Sequence, residues 1–348
     1  METQYAVAEP GKVVLKTKTL AKPGPGQVLL EAEYSTISMG TENALMGNHI
    51  VPLPQPIGYS MAARVIEVGP DVTDLKVGDP VVTTGQHAQY LLMDAKNCTP
   101  APHGIDMQQA AFFNLAHTGM YAIRRTGIKL GEPTLVMGQG LVGAITAQLA
   151  RLAGAMPLIV TDLDDRRLDN ARKMGVHYAI NPKTQPGELE RVIESIGWGG
   201  IPVIFEATGA RKPLDQAFEL VSERGRVMMM SQVHGGDAPQ YDTNLMMKGA
   251  TLIGGYINSK PFALKRADLT IKGEWPPVMG DNLVRYVNSD TWTSDEDIRV
   301  ILNLIKFGSL NITPLISHRF EFEDISKAYD MVWNLDPNLL GGVIRWKK

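Results

Sequence analysis

Short apolar runs separated by turn-forming residues fill the first part of the chain. Pro23-Gly24-Pro25-Gly26 reads as a rigid turn leading into a strand over 27–32. Ser38 to Glu42 reads as a small polar loop, and Pro52, Pro54 and Pro56 impose an extended path up to Gly58-Tyr59-Ser60. A strand over 63–68, a Gly69-Pro70-Asp71 turn, and a further turn and strand over 77–82 follow. Strands this short and closely spaced predict a compact β-rich domain.

The period changes at Ile105. Residues 105–126 carry helical spacing, with Asp106 placed to cap the first helix and Asn114-Leu115-Ala116-His117-Thr118 set between two apolar segments. From Pro133 strands and helices alternate. The pattern predicts a strand over 134–137, a helix over 144–152 and a strand over 158–161. Beyond it come a helix ending near Met174 with Gly175 as its cap, a buried strand from Val203 into a turn at Gly209, a helix over 214–221, and strands over 226–230 and 251–255. Such alternation predicts a parallel sheet covered by helices. Residues 258–294, which include Trp275, Pro276, Pro277, Tyr286 and Trp292, are less regular and long for a connection. They read either as a lid or interface element or as a surface excursion with its own apolar anchor. An amphipathic helix over 295–307 precedes a final strand, helix (325–333) and strand.

One stretch carries chemistry. Leu135-Val136-Met137-Gly138-Gln139-Gly140-Leu141-Val142-Gly143 reads G-x-G-x-x-G between a strand and a helix. Gly138 makes the tight turn, Gly140 lets the backbone approach a pyrophosphate, and Gly143 lets the helix lie close on the strand. The N–H groups that open the helix, those of Leu141, Val142 and Gly143, then face the phosphates. The next strand ends at Asp162, 24 residues beyond Gly138, near the roughly 20 expected of an acid that binds a ribose 2′-hydroxyl. A carboxylate there repels a 2′-phosphate, so NAD is expected over NADP, although Arg166 and Arg167 follow closely. The neighbouring Asp164, Asp165 and Arg166 read as a solvated turn.

Composition narrows the class without changing it. The 348 residues suffice for two domains. A 44% hydrophobic and 20% charged chain is an ordinary globular one. A net charge of −3 offers no electrostatic case for nucleic acid or anionic membrane. No apolar run reaches the roughly 20 residues of a membrane span, and Met1-Glu2-Thr3-Gln4 does not begin a signal peptide. The single cysteine, Cys98, excludes intrachain disulfides and multi-cysteine zinc sites, and a reducing, cytoplasmic setting is expected.

Taken in order, Pro25-Gly26-Gln27-Val28, Gly40-Thr41-Glu42, Val65-Ile66-Glu67-Val68-Gly69, Val77-Gly78-Asp79, the glycine turn and Glu206-Ala207-Thr208-Gly209 resemble the motifs of the medium-chain dehydrogenase/reductase family over nearly the whole chain. The resemblance implies an α/β protein with two domains. One is a discontinuous, β-rich, GroES-like catalytic domain over 1–117 and 308–348. The other is a Rossmann domain with a doubly wound parallel sheet over 118–307, interrupted near 258–294. It also implies an active site in the cleft between them and a homodimer or homotetramer. The family pattern places Thr118 near the nicotinamide, Arg167 at the adenosine ribose and Ala207-Thr208-Gly209 under the cofactor.

The departures from the family concern metal. Its zinc-dependent members carry a cysteine before the Gly-Thr-acid loop, where this chain has Met39. They carry His-Glu after the next glycine, where it has Tyr59-Ser60, and their third ligand falls at Asn114. A thioether, a phenol and an amide do not make a zinc site. The four-cysteine structural lobe is missing, and the seven histidines form no His-x-x-x-His pair. No metal is therefore expected, and a side chain must handle the proton that accompanies hydride transfer. Thr41 stands where the family carries a proton-relaying hydroxyl. Tyr59 replaces a ligand, His117 sits beside Thr118, and Glu42 follows Thr41. These four are the candidate catalytic residues. His49, in the Gly47-Asn48-His49 loop, and Asn114 are the candidate substrate contacts.

The expected activity is NAD-dependent oxidoreduction of a secondary alcohol: a polyol, a sugar or a glycoside, with Trp275 and Trp292 available as aromatic faces. Two alternatives stand beside it. One is an NAD(P)H-dependent enone or quinone reductase. The other is a non-catalytic NAD(H)-binding redox sensor.

Overall fold

The computed structural model describes residues 1–46, 52–231, 243–255 and 292–347. The chain packs as two compact units, Met1–Leu115 with Ile298–Lys348, and Ala116–Asp297. Both crossings fall inside helices, Phe113–Thr126 and Ser294–Lys306.

In the first unit the strand Gln27–Ile37 is the organiser. It pairs antiparallel with Met61–Val68, with Tyr90–Asp94 and, at its far end, with Gly341–Arg345. The last pairing is why the C-terminal tail belongs with the N-terminal part of the chain. The sheet runs Ile316–Glu321, Gly341–Arg345, Gln27–Ile37, Met61–Val68, Pro80–Thr83, Cys98–Pro100. A three-stranded sheet of Lys12–Thr19, Glu2–Glu9 and Gln55–Pro56 accompanies it. Helix Ile325–Trp333 buries Ile325, Ala328, Tyr329 and Val332 in this core. Their i, i+3, i+4, i+7 spacing forms one apolar stripe.

One sequence expectation fails here. Residues 38–42 are no loop: Met39–Met46 is a helix, opened by the Glu42 N–H donating to the Ser38 carbonyl at 3.1 Å. Packing supports this helix: Met46 is buried in the core, and Asn43 Nδ2 donates to the Val332 carbonyl at 3.0 Å. The expected cap at Asp106 is present, its carboxylate accepting the Gln108 N–H at 2.9 Å.

In the second unit six strands are parallel, in the order Tyr178–Ile180, Leu158–Thr161, Thr134–Met137, Ile201–Glu206, Val221–Met229, Thr251–Gly254. All four residues of Thr134–Met137 are buried, because helices cover both faces of such a sheet. The chain leaves this strand toward one edge and later returns on its other side. That reversal makes the carboxyl end of Thr134–Met137 a topological switch point, where open α/β sheets bind ligands. Helix Leu141–Leu152 starts at that end.

Further differences from the sequence expectations are local. Asp164 is not in a solvated turn. It caps helix Asp165–Lys173, accepting the Arg166 N–H at 2.9 Å. Helix Glu188–Ile196, bounded by left-handed Gly187 and Gly197, and the three-residue strand Tyr178–Ile180 were not foreseen. Of the irregular segment 258–294, only residues 292–294 lie within the described residues. Among the described residues no helix is long and apolar enough to cross a membrane.

Candidate functional site

The glycine turn has the geometry its spacing implies. Gly138 adopts φ +88°, and a Cβ there would lie 3.0 Å from Thr208 Cγ2 and 3.1 Å from the Ala207 carbonyl carbon. A Cβ on Gly143 would fall 2.0 Å from the Gly138 carbonyl oxygen. Two of the three glycines are therefore required by packing. Gly140 differs: a Cβ on it would meet no atom within 4 Å. That is the position a dinucleotide's pyrophosphate needs clear. Gly140 is also the N-cap of the helix and supplies no side-chain cap. The first-turn N–H groups of Leu141, Val142 and Gly143 have no acceptor within the helix. The donor set fits a dinucleotide.

The turn is braced from both sides. Asp162 Oδ2 accepts the Gln139 N–H at 2.6 Å, and its Oδ1 accepts the Asp164 N–H at 2.8 Å. The Asp162 carboxylate is thus held at the mouth of the turn. A carboxylate oxygen has two lone pairs, so acceptor capacity is left for a ribose hydroxyl. Arg167 Nη1 lies 3.7 Å from Asp162 Oδ2. On the other side Ala207 N–H donates to the Met137 carbonyl at 2.9 Å. Glu206 Oε1 accepts the Thr208 N–H at 2.8 Å and also its hydroxyl. Thr208 Oγ1 in turn accepts the Ala210 N–H, and Gly209 has φ +69°. Burial raises the Glu206 carboxyl above the usual carboxylate range, against the pull of the Thr208 bonds. The structure therefore brings Gly138, Gly140, Leu141, Val142, Gly143, Asp162, Arg167, Ala207, Thr208 and Gly209 to one end of one sheet.

The first unit holds a hydroxyl cluster. The Tyr59 hydroxyl is hydrogen-bonded by the side chains of Ser38 and Thr41. Two bonds fix the loop that carries it: Asn114 Nδ2 donates to the Tyr59 carbonyl at 3.1 Å, and Ser60 Oγ donates to the Ala111 carbonyl at 2.6 Å. Burial, and then the Glu42 carboxylate, push the Tyr59 phenol well above its ordinary range, while the Ser38 and Thr41 hydroxyls pull it partly back. Near neutral pH Tyr59 is a hydrogen-bond donor, not a phenolate.

Glu42 does not face the same way as Thr41. It is fully buried, with Oε1 3.3 Å from His87 Nε2. His87 Nδ1 lies 2.7 Å from Ser35 Oγ, which also accepts the Trp346 indole N–H at 2.7 Å. Ser35 Oγ takes the indole N–H on one lone pair and keeps a second lone pair and its own proton for His87 Nδ1. The His87 ring stacks on Trp346 at 6.3 Å and meets Tyr329 edge-on at 6.1 Å. A Cβ on Gly58 would lie 2.5 Å from His87 Cγ. The Glu42 carboxylate is enclosed by this network and ties helix Met39–Met46 to it.

Sequence reasoning missed Ser35, His87, Tyr329 and Trp346. They come from four separate stretches and no motif links them; only a positive φ requirement at Gly58 was open to suspicion. His117 is buried and Thr118 partly buried on helix Phe113–Thr126, which also carries Asn114. His49 lies outside the described residues. The Arg124 guanidinium lies over the Trp292 ring at 4.0 Å, and the Trp292 side chain remains exposed.

Zinc does not fit these donors. Met39 packs against the apolar core of the first unit, and Tyr59 and Asn114 offer a phenol and an amide where zinc takes thiolate, imidazole or carboxylate. Among the described residues no three His, Cys, Asp or Glu side chains group together.

Comparisons with known proteins agree with this architecture. Residues 24–122 match the alcohol dehydrogenase GroES-like domain, and residues 142–269 match the zinc-binding dehydrogenase model. An L-threonine 3-dehydrogenase from Pyrococcus abyssi (strain GE5 / Orsay) is 25% identical, covering 89% of each chain. A sorbitol dehydrogenase from Homo sapiens is 25% identical, covering 92% of this chain and 90% of its own. Among solved structures, a short chain alcohol dehydrogenase from Escherichia coli CFT073 complexed with NADH has a TM-score of 0.79 at 17% identity, covering 99% of both chains. A protein from Sinorhizobium meliloti 1021 bound to NADP has a TM-score of 0.78 at 19% identity, again over 99% of both.

A GroES-like unit joined to a doubly wound nucleotide-binding unit is the architecture of a medium-chain dehydrogenase. The chain belongs to the medium-chain, zinc-type alcohol dehydrogenase-like family.

Proposed function

We propose that the protein is an NAD-dependent, zinc-independent oxidoreductase that exchanges hydride between a secondary alcohol and the nicotinamide. An alcohol oxidoreductase using a nicotinamide cofactor is the reading that its relatives support, since they are named for sorbitol and threonine and related folds are bound to NADH or NADP. Polyols, sugars and glycosides are the substrates to try first. The observation that carries the NAD assignment is Asp162, held at the mouth of the glycine turn by the Gln139 N–H at 2.6 Å.

Bound nicotinamide supplies the hydride acceptor. The rest falls to side chains. Tyr59, kept protonated, donates a hydrogen bond to the substrate oxygen and stabilises negative charge developing there. Ser38 and Thr41 orient its hydroxyl, and Asn114 and Ser60 hold its loop. His117 is the group we assign to acid–base work, since imidazole titrates near neutral pH.

The test is a panel of polyols, sugars and glycosides with NAD, followed as NADH formation, together with metal analysis of the purified protein. Turnover with NAD, no stoichiometric zinc and full activity in chelator are the expected results. Strong preference for NADPH with an enone or quinone would replace this reading by a reductase. Tight NAD(H) binding with no turnover would replace it by a sensor.

A further inference from the structure

The Asp164 carboxylate is directed at the arginines that follow it. Arg166 Nε donates to Asp164 Oδ1 at 3.1 Å and Nη2 to Oδ2 at 2.8 Å, a two-point pairing that matches the planar guanidinium. Arg167 lies between two acids, its Nη1 3.7 Å from Asp162 Oδ2 and its Nε 3.9 Å from Asp164 Oδ2. Asp165 takes no part and accepts from Asn181 Nδ2 at 2.9 Å. Arg167 therefore stands beside the acid assigned to the ribose 2′-hydroxyl, Arg166 follows that acid in the chain, and Asp164 engages both arginines.

An arginine in this neighbourhood is what accommodates the 2′-phosphate of NADP. Asp162 alone repels that phosphate with one charge, against the Arg167 guanidinium 3.7 Å away and Arg166 one residue earlier in the chain. With Asp164 included, the two arginines are matched by two carboxylates. We propose that Asp164 is a second determinant of cofactor choice, which occupies Arg166 and Arg167 and so denies them to a 2′-phosphate. The proposal rests on the NAD assignment above. It locates the selectivity in the pairing of two acids with two arginines.

Asp164 also caps helix Asp165–Lys173 through the Arg166 N–H. Asp164→Asn keeps a capping oxygen and removes the charge. The experiment is calorimetric binding of NAD, NADP, ADP and 2′,5′-ADP to the purified full chain, which needs no substrate and no turnover. Asp164→Asn raises affinity for NADP and 2′,5′-ADP by a factor on the order of ten, with NAD and ADP unchanged. Adding Arg166→Ala and Arg167→Ala to that variant abolishes the gain. An unchanged NADP-to-NAD ratio overturns the proposal, as does a gain that survives loss of both arginines. Asp164→Ser, a second capping residue, repeats the measurement should the asparagine variant fold poorly. Wild-type protein that prefers NADP defeats the NAD assignment; the change in ratio produced by Asp164→Asn is a separate outcome.

Discussion

His87 Nε2 lies 3.3 Å from Glu42 Oε1, and neither side chain has exposed surface. The contact joins helix Met39–Met46, which carries Thr41, to the segment between strands Pro80–Thr83 and Tyr90–Asp94. Glu42 Oε2 has no hydrogen-bond partner among the described residues. His87 and the Tyr329 hydroxyl are the polar groups that face the buried carboxylate. Removing one member of a buried pair costs about 3 kcal/mol. We expect His87→Ala to lower unfolding free energy by about that amount in denaturant titration. A loss no larger than that of an exposed histidine would show that the network is not anchoring the helix.

Gly143→Ala tests the glycine turn without touching any charge. The added methyl would sit 2.0 Å from the Gly138 carbonyl oxygen, so the turn or the helix must move. Overpacking of this kind costs about 1–3 kcal/mol. NAD affinity should fall at least tenfold, on the order of one lost phosphate hydrogen bond, in fluorescence or calorimetric titration. Unaltered affinity would mean that the phosphates are bound elsewhere. Gly140 needs its freedom for the ligand, since no protein atom lies near its missing Cβ.

Tyr59→Phe removes the donor and keeps the ring. The turnover rate should drop on the order of a hundredfold, with the dissociation constant for NAD unchanged. A variant that retains full turnover would remove Tyr59 from the chemistry and leave His117 as the remaining candidate.

Cys98 is buried, its thiol donating to the Asp94 carbonyl at 3.7 Å, and burial pushes it up to about 12 from an ordinary value of 9.0. The native thiol should resist iodoacetamide at pH 8 and react fully in denaturant. The sign of the stability effect follows. The folded state holds the proton more tightly than the unfolded chain, so this contribution is complete below the ordinary value of 9.0. It is lost as pH rises toward 12. Cys98→Ala should flatten that part of the alkaline stability loss, as read by thermal melts across that interval.

Periodicity and glycine spacing reach as far as local rules extend. The βαβ unit around Gly138, the cap at Asp106, the final strand-helix-strand and the acid at position 162 are all set by neighbours a few residues apart. Backbone sterics and alternating burial therefore make them legible in the chain alone. The absence of zinc-type donors at Met39, Tyr59 and Asn114 is legible for the same reason, since donor chemistry belongs to the residue. Tertiary packing alone decided the orientation of Glu42. Its partner His87 is 45 residues away, held by Ser35 and by Trp346, which is 311 residues from that serine. Packing also decided that residues 39–46 form a helix against that network, and that the last strand pairs with Gln27–Ile37. Side-chain direction and long-range partners follow from the closed core, and a linear pattern of residue types does not encode which distant atoms meet there.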